Sequence, residues 1–107
     1  MDYKSTRNSQ KIFSSEQVLN YGLAPDGGLF IPTELPKFSL KSIDALKGSK
    51  YEEIAFFILE PFLNDLFTDV EIKKIINEAY SKFDEEIVSI SHVGDNTLLN
   101  LFHGPTL

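Results

Sequence analysis

Thr68-Asp69-Val70-Glu71-Ile72-Lys73-Lys74-Ile75-Ile76-Asn77-Glu78-Ala79-Tyr80-Ser81-Lys82-Phe83 is the stretch that decides the class of this chain. Its apolar residues Ile72, Ile75, Ile76, Ala79, Tyr80 and Phe83 recur at i, i+3, i+4, i+7, i+8 and i+11, which is one face of an α-helix. Lys73, Lys74, Asn77, Glu78 and Ser81 fill the other face. Thr68-x-x-Glu71 is a capping box, in which each side chain answers an unpaired backbone donor of the first turn. The helix should end in solvent at Asp84-Glu85-Glu86. The default reading of its stripe is core. The alternative is a docking face for polypeptide outside this chain.

Working outward, Ser49-x-x-Glu52 reads as a second capping box. The helix it opens carries Tyr51, Ile54, Ala55, Phe57, Ile58, Phe62 and Leu63 as apolar positions. Pro61 lacks an N–H, so this helix should kink there or break before it. Leu40, Ile43 and Leu46 are spaced by three, as on a short helix closed near Gly48. Ser14-x-x-Gln17 is a third box, for a helix stopping near Gly22. Tyr3 to Thr6 and Leu29-Phe30-Ile31 read as strands, the second closed by Pro32, and residues 34–38 as a loop. Ile87 to Ser91 and Thr97 to Phe102 read as strands joined across Gly94-Asp95-Asn96, a hairpin. The whole is one domain, residues 1–107, of mixed α/β (α+β) class. Three to four helices are expected on a short mixed sheet or hairpin.

Composition narrows the function. The chain has 107 residues, 42% hydrophobic, with nine Phe and four Tyr, which argues for a packed globule. No cysteine is present, so disulfides, thiolate nucleophiles and Cys-based metal sites are excluded. Residues 1–50 carry seven Lys/Arg against five Asp/Glu, and residues 51–107 three against eleven, giving a net charge of −6. An acidic chain with no basic stripe is a poor nucleic-acid binder. The polar start Met1-Asp2-Tyr3-Lys4 is unlike a secretion signal, and no apolar run approaches the roughly 18 residues of a membrane span. A cytoplasmic protein is expected.

Three constellations carry candidate chemistry. His103-Gly104-Pro105-Thr106 follows an apolar run. Gly admits close backbone approach, Pro stiffens the turn, and a Thr hydroxyl with free backbone donors suits an anion. The plainer reading is an ordinary turn. Pro25-Asp26-Gly27-Gly28 has the chemistry of a tight turn, and a rigid structural turn is its more natural role. Ser5-Thr6-Arg7 offers two hydroxyls and a guanidinium, a phosphate-binding set; an exposed strand with a solvated Arg weighs more for so short a triplet. His92 and His103, the only histidines, lie without Cys or carboxylates at ligand spacing, so no metal site is expected.

The same segments resemble one family. Leu101-Phe102-His103-Gly104-Pro105-Thr106 is similar to the Leu-Phe-His-Gly-Pro-Thr-x-Ala-Phe-Lys-Asp signature of threonine synthases. Leu23-Ala24-Pro25-Asp26-Gly27-Gly28-Leu29-Phe30-Ile31-Pro32 resembles that family's Leu-Ala-Pro-Asp-Gly-Gly-Leu-(Tyr/Phe)-Val-Pro segment. Ser5-Thr6-Arg7 looks like its Ser-Thr-Arg-Gly start, with Asn8 where Gly is usual. Tyr51-Glu52-Glu53-Ile54-Ala55 is similar to its Tyr-x-Glu-(Ile/Leu)-Ala helix start. The matched pieces run in family order from residue 5 to residue 107.

The resemblance implies a pyridoxal phosphate (PLP) enzyme of fold type II. It would convert O-phospho-L-homoserine and water to L-threonine and phosphate, with the cofactor as electron sink. The Schiff-base lysine belongs to the Ala-Phe-Lys-Asp part of the signature, which this chain does not contain. The chain therefore reads as an N-terminal part that packs on a separate catalytic domain, has no catalytic residue of its own and is inactive alone. His103 to Thr106 and Ser5 to Arg7 would lie near substrate and cofactor, and Pro25 to Gly28 near the cleft. Two alternatives stand beside this reading. One is a free-standing interaction module. The other is a threonine-synthase-like phospho-lyase, which eliminates phosphate instead of replacing it.

Overall fold

A computed structural model describes residues 1–83 and 87–100. The elements run β1 (Asp2–Ser5), β2 (Ile12–Ser14), α1 (Ser15–Tyr21), β3 (Phe30–Pro32), α2 (Leu40–Asp44), α3 (Tyr51–Leu63), α4 (Asp69–Tyr80), β4 (Ser89–Val93) and β5 (Asn96–Asn100). The mixed α+β class holds. The sheet, expected to be mixed or a hairpin, is instead antiparallel in every pairing among the described residues.

The first sheet has the order β2-β1-β3. β1 is central, pairing Tyr3 with Phe13 on one side and Pro32 on the other. β2 was not anticipated, because Ile12-Phe13-Ser14 is too short for alternation to register. Ser14 both ends β2 and caps α1: its hydroxyl accepts the Gln17 N–H, and Gln17 Oε1 accepts the Ser14 N–H. Phe13 is the floor of this half at 4% exposure. Its ring meets Phe30 edge-on at 5.0 Å and Tyr21 at 6.3 Å.

The second half is the pair α3–α4. Tyr51, at the start of α3, stacks edge-to-face on Tyr80, at the end of α4, at 4.9 Å, so the helices are antiparallel. The Thr68–Glu71 box is present as expected. The apolar stripe is narrower than its period promised. Ile72 and Ile76 are buried and Tyr80 and Phe83 partly so, but Ile75 is 45% exposed and Ala79 is exposed. The box expected at Ser49 and Glu52 does not form: Lys50 is the N-cap, and Glu53 Oε2 accepts its N–H at 2.9 Å, but the Lys50 ammonium has no acceptor for the return bond, so only half of the device is present. Nor does α3 break before Pro61. It continues to Leu63, so the missing N–H falls in the last turn, where only one helical bond is lost. Phe38 packs on Phe57 at 4.9 Å, tying the loop before α2 onto α3.

One polar junction joins the halves. Ser15 Oγ lies 2.7 Å from Asp65 Oδ2 and 2.9 Å from the Met1 carbonyl, and the amino group of Met1 pairs with the same Asp65 carboxylate. Desolvation acts to raise the Asp65 pKa, but the bonds from the amino group and from Ser15 outweigh it, and the net shift is downward. β4 and β5 form a separate two-stranded sheet, starting two residues later than the sequence suggested for β4 and one earlier for β5. Its loop is Gly94-Asp95. Only Gly94 has positive φ, which matches a type II′ turn with glycine first.

Candidate functional site

Two of the three constellations singled out from sequence come together here. The segment after α1 turns sharply: the Gly27 N–H donates to the Ala24 carbonyl at 2.8 Å, and the Ala24 N–H donates to the Gly28 carbonyl at 3.0 Å. Pro25 and Asp26 take the central positions, and Gly27 follows with φ of 77°, a left-handed conformation that suits glycine. The loop is thereby folded back so that Asp26 faces the end of β1.

Asp26 is the hub. Its Oδ1 accepts the Ser5 hydroxyl at 2.7 Å and the Gly28 N–H at 2.9 Å. Its backbone carbonyl accepts Arg7 Nη1 at 3.1 Å. Ser5, 2% exposed, in turn accepts the Arg7 N–H at 3.1 Å. Thr6 is locked beside it: its N–H donates to the Leu29 carbonyl at 2.9 Å, and its Oγ1 accepts the Leu29 N–H at 3.0 Å. The hydrogen bonds from Ser5 and Gly28, with the Arg7 charge as a smaller contribution, hold the Asp26 carboxyl below its ordinary pKa.

The fit is close enough to require glycine. A Cβ on Gly28 would lie 2.2 Å from Ser5 Oγ and 3.0 Å from both Asp26 Oδ1 and Thr6 Oγ1. A Cβ on Gly27 would meet Arg7 Nη1 at 2.9 Å. The second glycine is thus a matter of space and the first of both space and φ.

Counting donors separates the triplet into roles. The single proton of the Ser5 hydroxyl is committed to Asp26, so Ser5 has none to offer a ligand. Thr6 accepts inside the molecule but is exposed, and its own hydroxyl proton is not engaged with any described residue. Arg7 is exposed, and one of its five guanidinium N–H groups contacts the Asp26 carbonyl. Ser5 therefore spends its hydroxyl proton inside the turn, while Thr6 and Arg7 are exposed with donors to spare. The Arg7 side chain is exposed to solvent and pinned at one end by the Asp26 carbonyl.

Beside this hub lies a cavity of about 270 Å³ lined by Asn8, Lys11, Phe13, Pro25 and Asp26. Lys11 Nζ sits 5.1 Å from the centre of the Phe13 ring. Sequence reasoning missed Lys11, since only the pairing of β2 with β1 brings that residue to the turn. A larger groove of about 380 Å³ separates α3 and α4, lined by Glu52, Glu53, Phe56, Lys73, Ile76 and Asn77. None of the anticipated site residues falls there, and Glu53 is engaged in capping.

His103, Gly104, Pro105 and Thr106, and Asp84-Glu85-Glu86, lie outside the described residues. His92 is on the outer face of β4, its Nδ1 3.3 Å from Thr97 Oγ1. Among the described residues no group of three or more His, Asp or Glu is placed to hold a metal ion. No described helix is long and apolar enough to cross a membrane.

Comparison with known proteins bears on all of this. Residues 2–80 match the family described as "Threonine synthase N terminus". Threonine synthase from Pseudomonas aeruginosa is 41% identical over 109 residues, covering 100% of this chain and 23% of that protein. Threonine synthase from Schizosaccharomyces pombe is 37% identical over 110 residues, covering 99% and 21%. The crystal structure of PLP-bound threonine synthase from Brucella melitensis superposes with a TM-score of 0.87 at 34% identity, covering 98% of this chain and 23% of that one. The chain spans under a quarter of the length of these relatives.

Proposed function

The chain belongs to the threonine synthase family, and from that premise we propose that it is the N-terminal part of an enzyme converting O-phospho-L-homoserine and water to L-threonine and phosphate with PLP, in the cytoplasm. The observation that carries the reading is the match over the whole chain to the first quarter of threonine synthases, one of them solved with PLP.

The residues present here do not fit covalent PLP. A Schiff-base lysine needs a desolvated pocket or a cationic neighbour. Of the nine lysines, eight are exposed and Lys4, on β1, is half-buried. Lys47 and Lys74 lie in surface ion pairs, and Lys11 and Lys73 sit over phenylalanine rings. On this reading the reactive lysine belongs to polypeptide outside the 107 residues. The role left for this part is to build and shield one wall of the substrate cleft.

Within that wall, Thr6 and Arg7 are the outward donors; for His103 to Thr106 the reading rests on sequence alone, since in the family's signature this segment leads to the catalytic lysine. Ser5, Pro25, Asp26, Gly27 and Gly28 hold Thr6 and Arg7 in place. A guanidinium pinned at one end loses little freedom on meeting an oxyanion, which suits the phosphate of the substrate.

The test is turnover of O-phospho-L-homoserine by the full-length protein carrying this chain, with threonine and phosphate both measured, beside the 107-residue chain alone. Equal amounts of threonine and phosphate from the full-length protein, and neither from the chain alone, support the reading. Phosphate without threonine makes the protein a phospho-lyase. Product from the chain alone, or a borohydride-stable pyridoxyl adduct on one of its lysines, overturns it.

A further inference from the structure

Lys11 and Asp26 bring opposite charges to one cavity and do not pair. Both line the space of about 270 Å³ beside the hub, together with Asn8, Phe13 and Pro25. They form no ion pair with each other, and neither forms one with any other described residue.

Each charge is held by contacts of its own. The Lys11 ammonium lies 5.1 Å from the centre of the Phe13 ring, within reach of a cation–π attraction, and that ring is buried. Asp26 is fixed through Oδ1, which accepts the Ser5 hydroxyl and the Gly28 N–H, while its Oδ2 accepts no bond from a described residue. The same two donors hold the carboxyl below its ordinary pKa, so it is charged at neutral pH. Asn8 adds a third polar group. Its Oδ1 accepts the Gln10 N–H at 3.0 Å, which leaves the Nδ2 protons without an acceptor among the described residues.

This set selects among ligands. Inorganic phosphate would gain Lys11 but meet the Asp26 carboxylate. A simple cation would gain Asp26 but meet Lys11. A molecule that carries both charges a few ångströms apart satisfies both groups, and a free α-amino acid is such a molecule. The volume falls just below the roughly 300–1,000 Å³ of drug-sized pockets, so the occupant is small. Phe13 and Pro25 suit a short aliphatic side chain. Groups already fixed in place lose little freedom on binding.

We propose that this cavity binds a small free α-amino acid as its zwitterion, with the ammonium on Asp26 Oδ2, the carboxylate on Lys11 Nζ and Asn8 Nδ2, and an aliphatic side chain against Phe13 and Pro25. Such a site stands on these five residues and does not require the synthase reading.

Calorimetric titration of the 107-residue chain, with amide chemical shifts to locate the binding, tests this. The probes are L-valine, N-acetyl-L-valine (no ammonium), L-valinamide (no carboxylate) and inorganic phosphate. L-Valine should bind saturably and shift the amides of Lys11, Phe13 and Asp26. Removal of either charge from the probe should weaken binding at least ~10-fold. Lys11 is exposed, so Lys11→Met keeps the fold. That variant should weaken L-valine at least ~10-fold and leave L-valinamide unchanged, a split that general damage to the turn would not produce. In the full-length protein a Lys11-dependent binding step should persist. N-acetyl-L-valine or phosphate bound as tightly as L-valine would make this a plain anion site and overturn the zwitterion. Shifts that do not saturate, or L-valine binding indifferent to Lys11→Met, overturn the site. Loss of the Lys11-dependent step in the full-length protein means that other polypeptide covers the cavity, and overturns it there. None of these readouts uses turnover, so failure of the synthase assignment would show separately.

Discussion

The two antiparallel sheets of this molecule are built from strands of three to five residues, and neither is longer or more apolar than the other by much. They are held by different means. The β2-β1-β3 sheet is locked by groups distant in sequence: Phe13 against Phe30, Ser5 and Arg7 on Asp26, Thr6 on Leu29. The β4–β5 hairpin is held by its own turn and by a Ser/Asn row within its own strands. Strand propensity is a local matter, whereas independence from the rest of a protein depends on long-range partners.

The largest test of that contrast is Phe13→Ala. Phe13 is buried and central to three aromatic rings, so its truncation should cost about 3–5 kcal/mol. Chemical denaturation of the 107-residue chain measures this. Ile90→Ala in the hairpin should cost less than ~0.5 kcal/mol there, as a surface change does. Comparable losses at both positions would erase the distinction.

Gly28→Ala comes next. The new methyl would sit 2.2 Å from Ser5 Oγ, a buried atom that cannot swing away without giving up Asp26. Overpacking of this kind costs about 1–3 kcal/mol. Ser5→Ala together with Gly28→Ala should recover part of the loss, since the clashing oxygen is gone. In the full-length enzyme Gly28→Ala should also raise KM, because it disturbs the placement of Thr6 and Arg7. A double variant no better than the single would mean that the strain lies in the backbone and not at Ser5.

Asp26→Asn sharpens the same hub through pH, with a smaller effect. The carboxyl is held below its ordinary pKa by Ser5 and Gly28. A depressed folded pKa contributes stability above the unfolded value, roughly 4, and that contribution is lost as pH falls through the folded value. The wild-type chain should therefore exceed the variant in melting temperature at pH 7, and the gap should close below about pH 4. A gap that is constant with pH would show that the carboxylate charge does not matter and that shape alone holds the turn.

Much of this was legible in the sequence, for stated physical reasons. The boxes at Ser14 and Thr68 were found because a capping box is a local device with its partners three residues apart. The hairpin was legible because glycine and aspartate sit between an alternating run, Ile87 to Ser91, and an apolar one that begins at Thr97. The box at Ser49 does not form because Glu52 and Glu53 are adjacent and the second reaches back instead, to Lys50, which has no side-chain acceptor to complete a box. β2 and the exposure of Ile75 were missed because both depend on which element lies alongside. The union of Ser5 to Arg7 with Pro25 to Gly28 spans about twenty residues of sequence. Each segment had been judged by its own chemistry, and neither contains a sign of the other. Asp26 looked like a turn residue, and only its partners make it a hub.

The smallest effect is the most telling for the hairpin. Gly94 has φ of 59° and nothing within 4 Å of where a Cβ would go, so Gly94→Ala meets no clash. Its cost is conformational alone, about 1–2 kcal/mol for a left-handed alanine. In a single cooperative unit that cost would lower the melting temperature of the whole 107-residue chain by several degrees. If the hairpin opens independently, the cost falls on its local opening instead. The amides of Val93 and Asn96 should then exchange roughly 5- to 30-fold faster, with α4 unaffected and the global transition within ~1 °C of wild type. A global shift as large as that of Gly28→Ala would bind the two sheets into one folding unit.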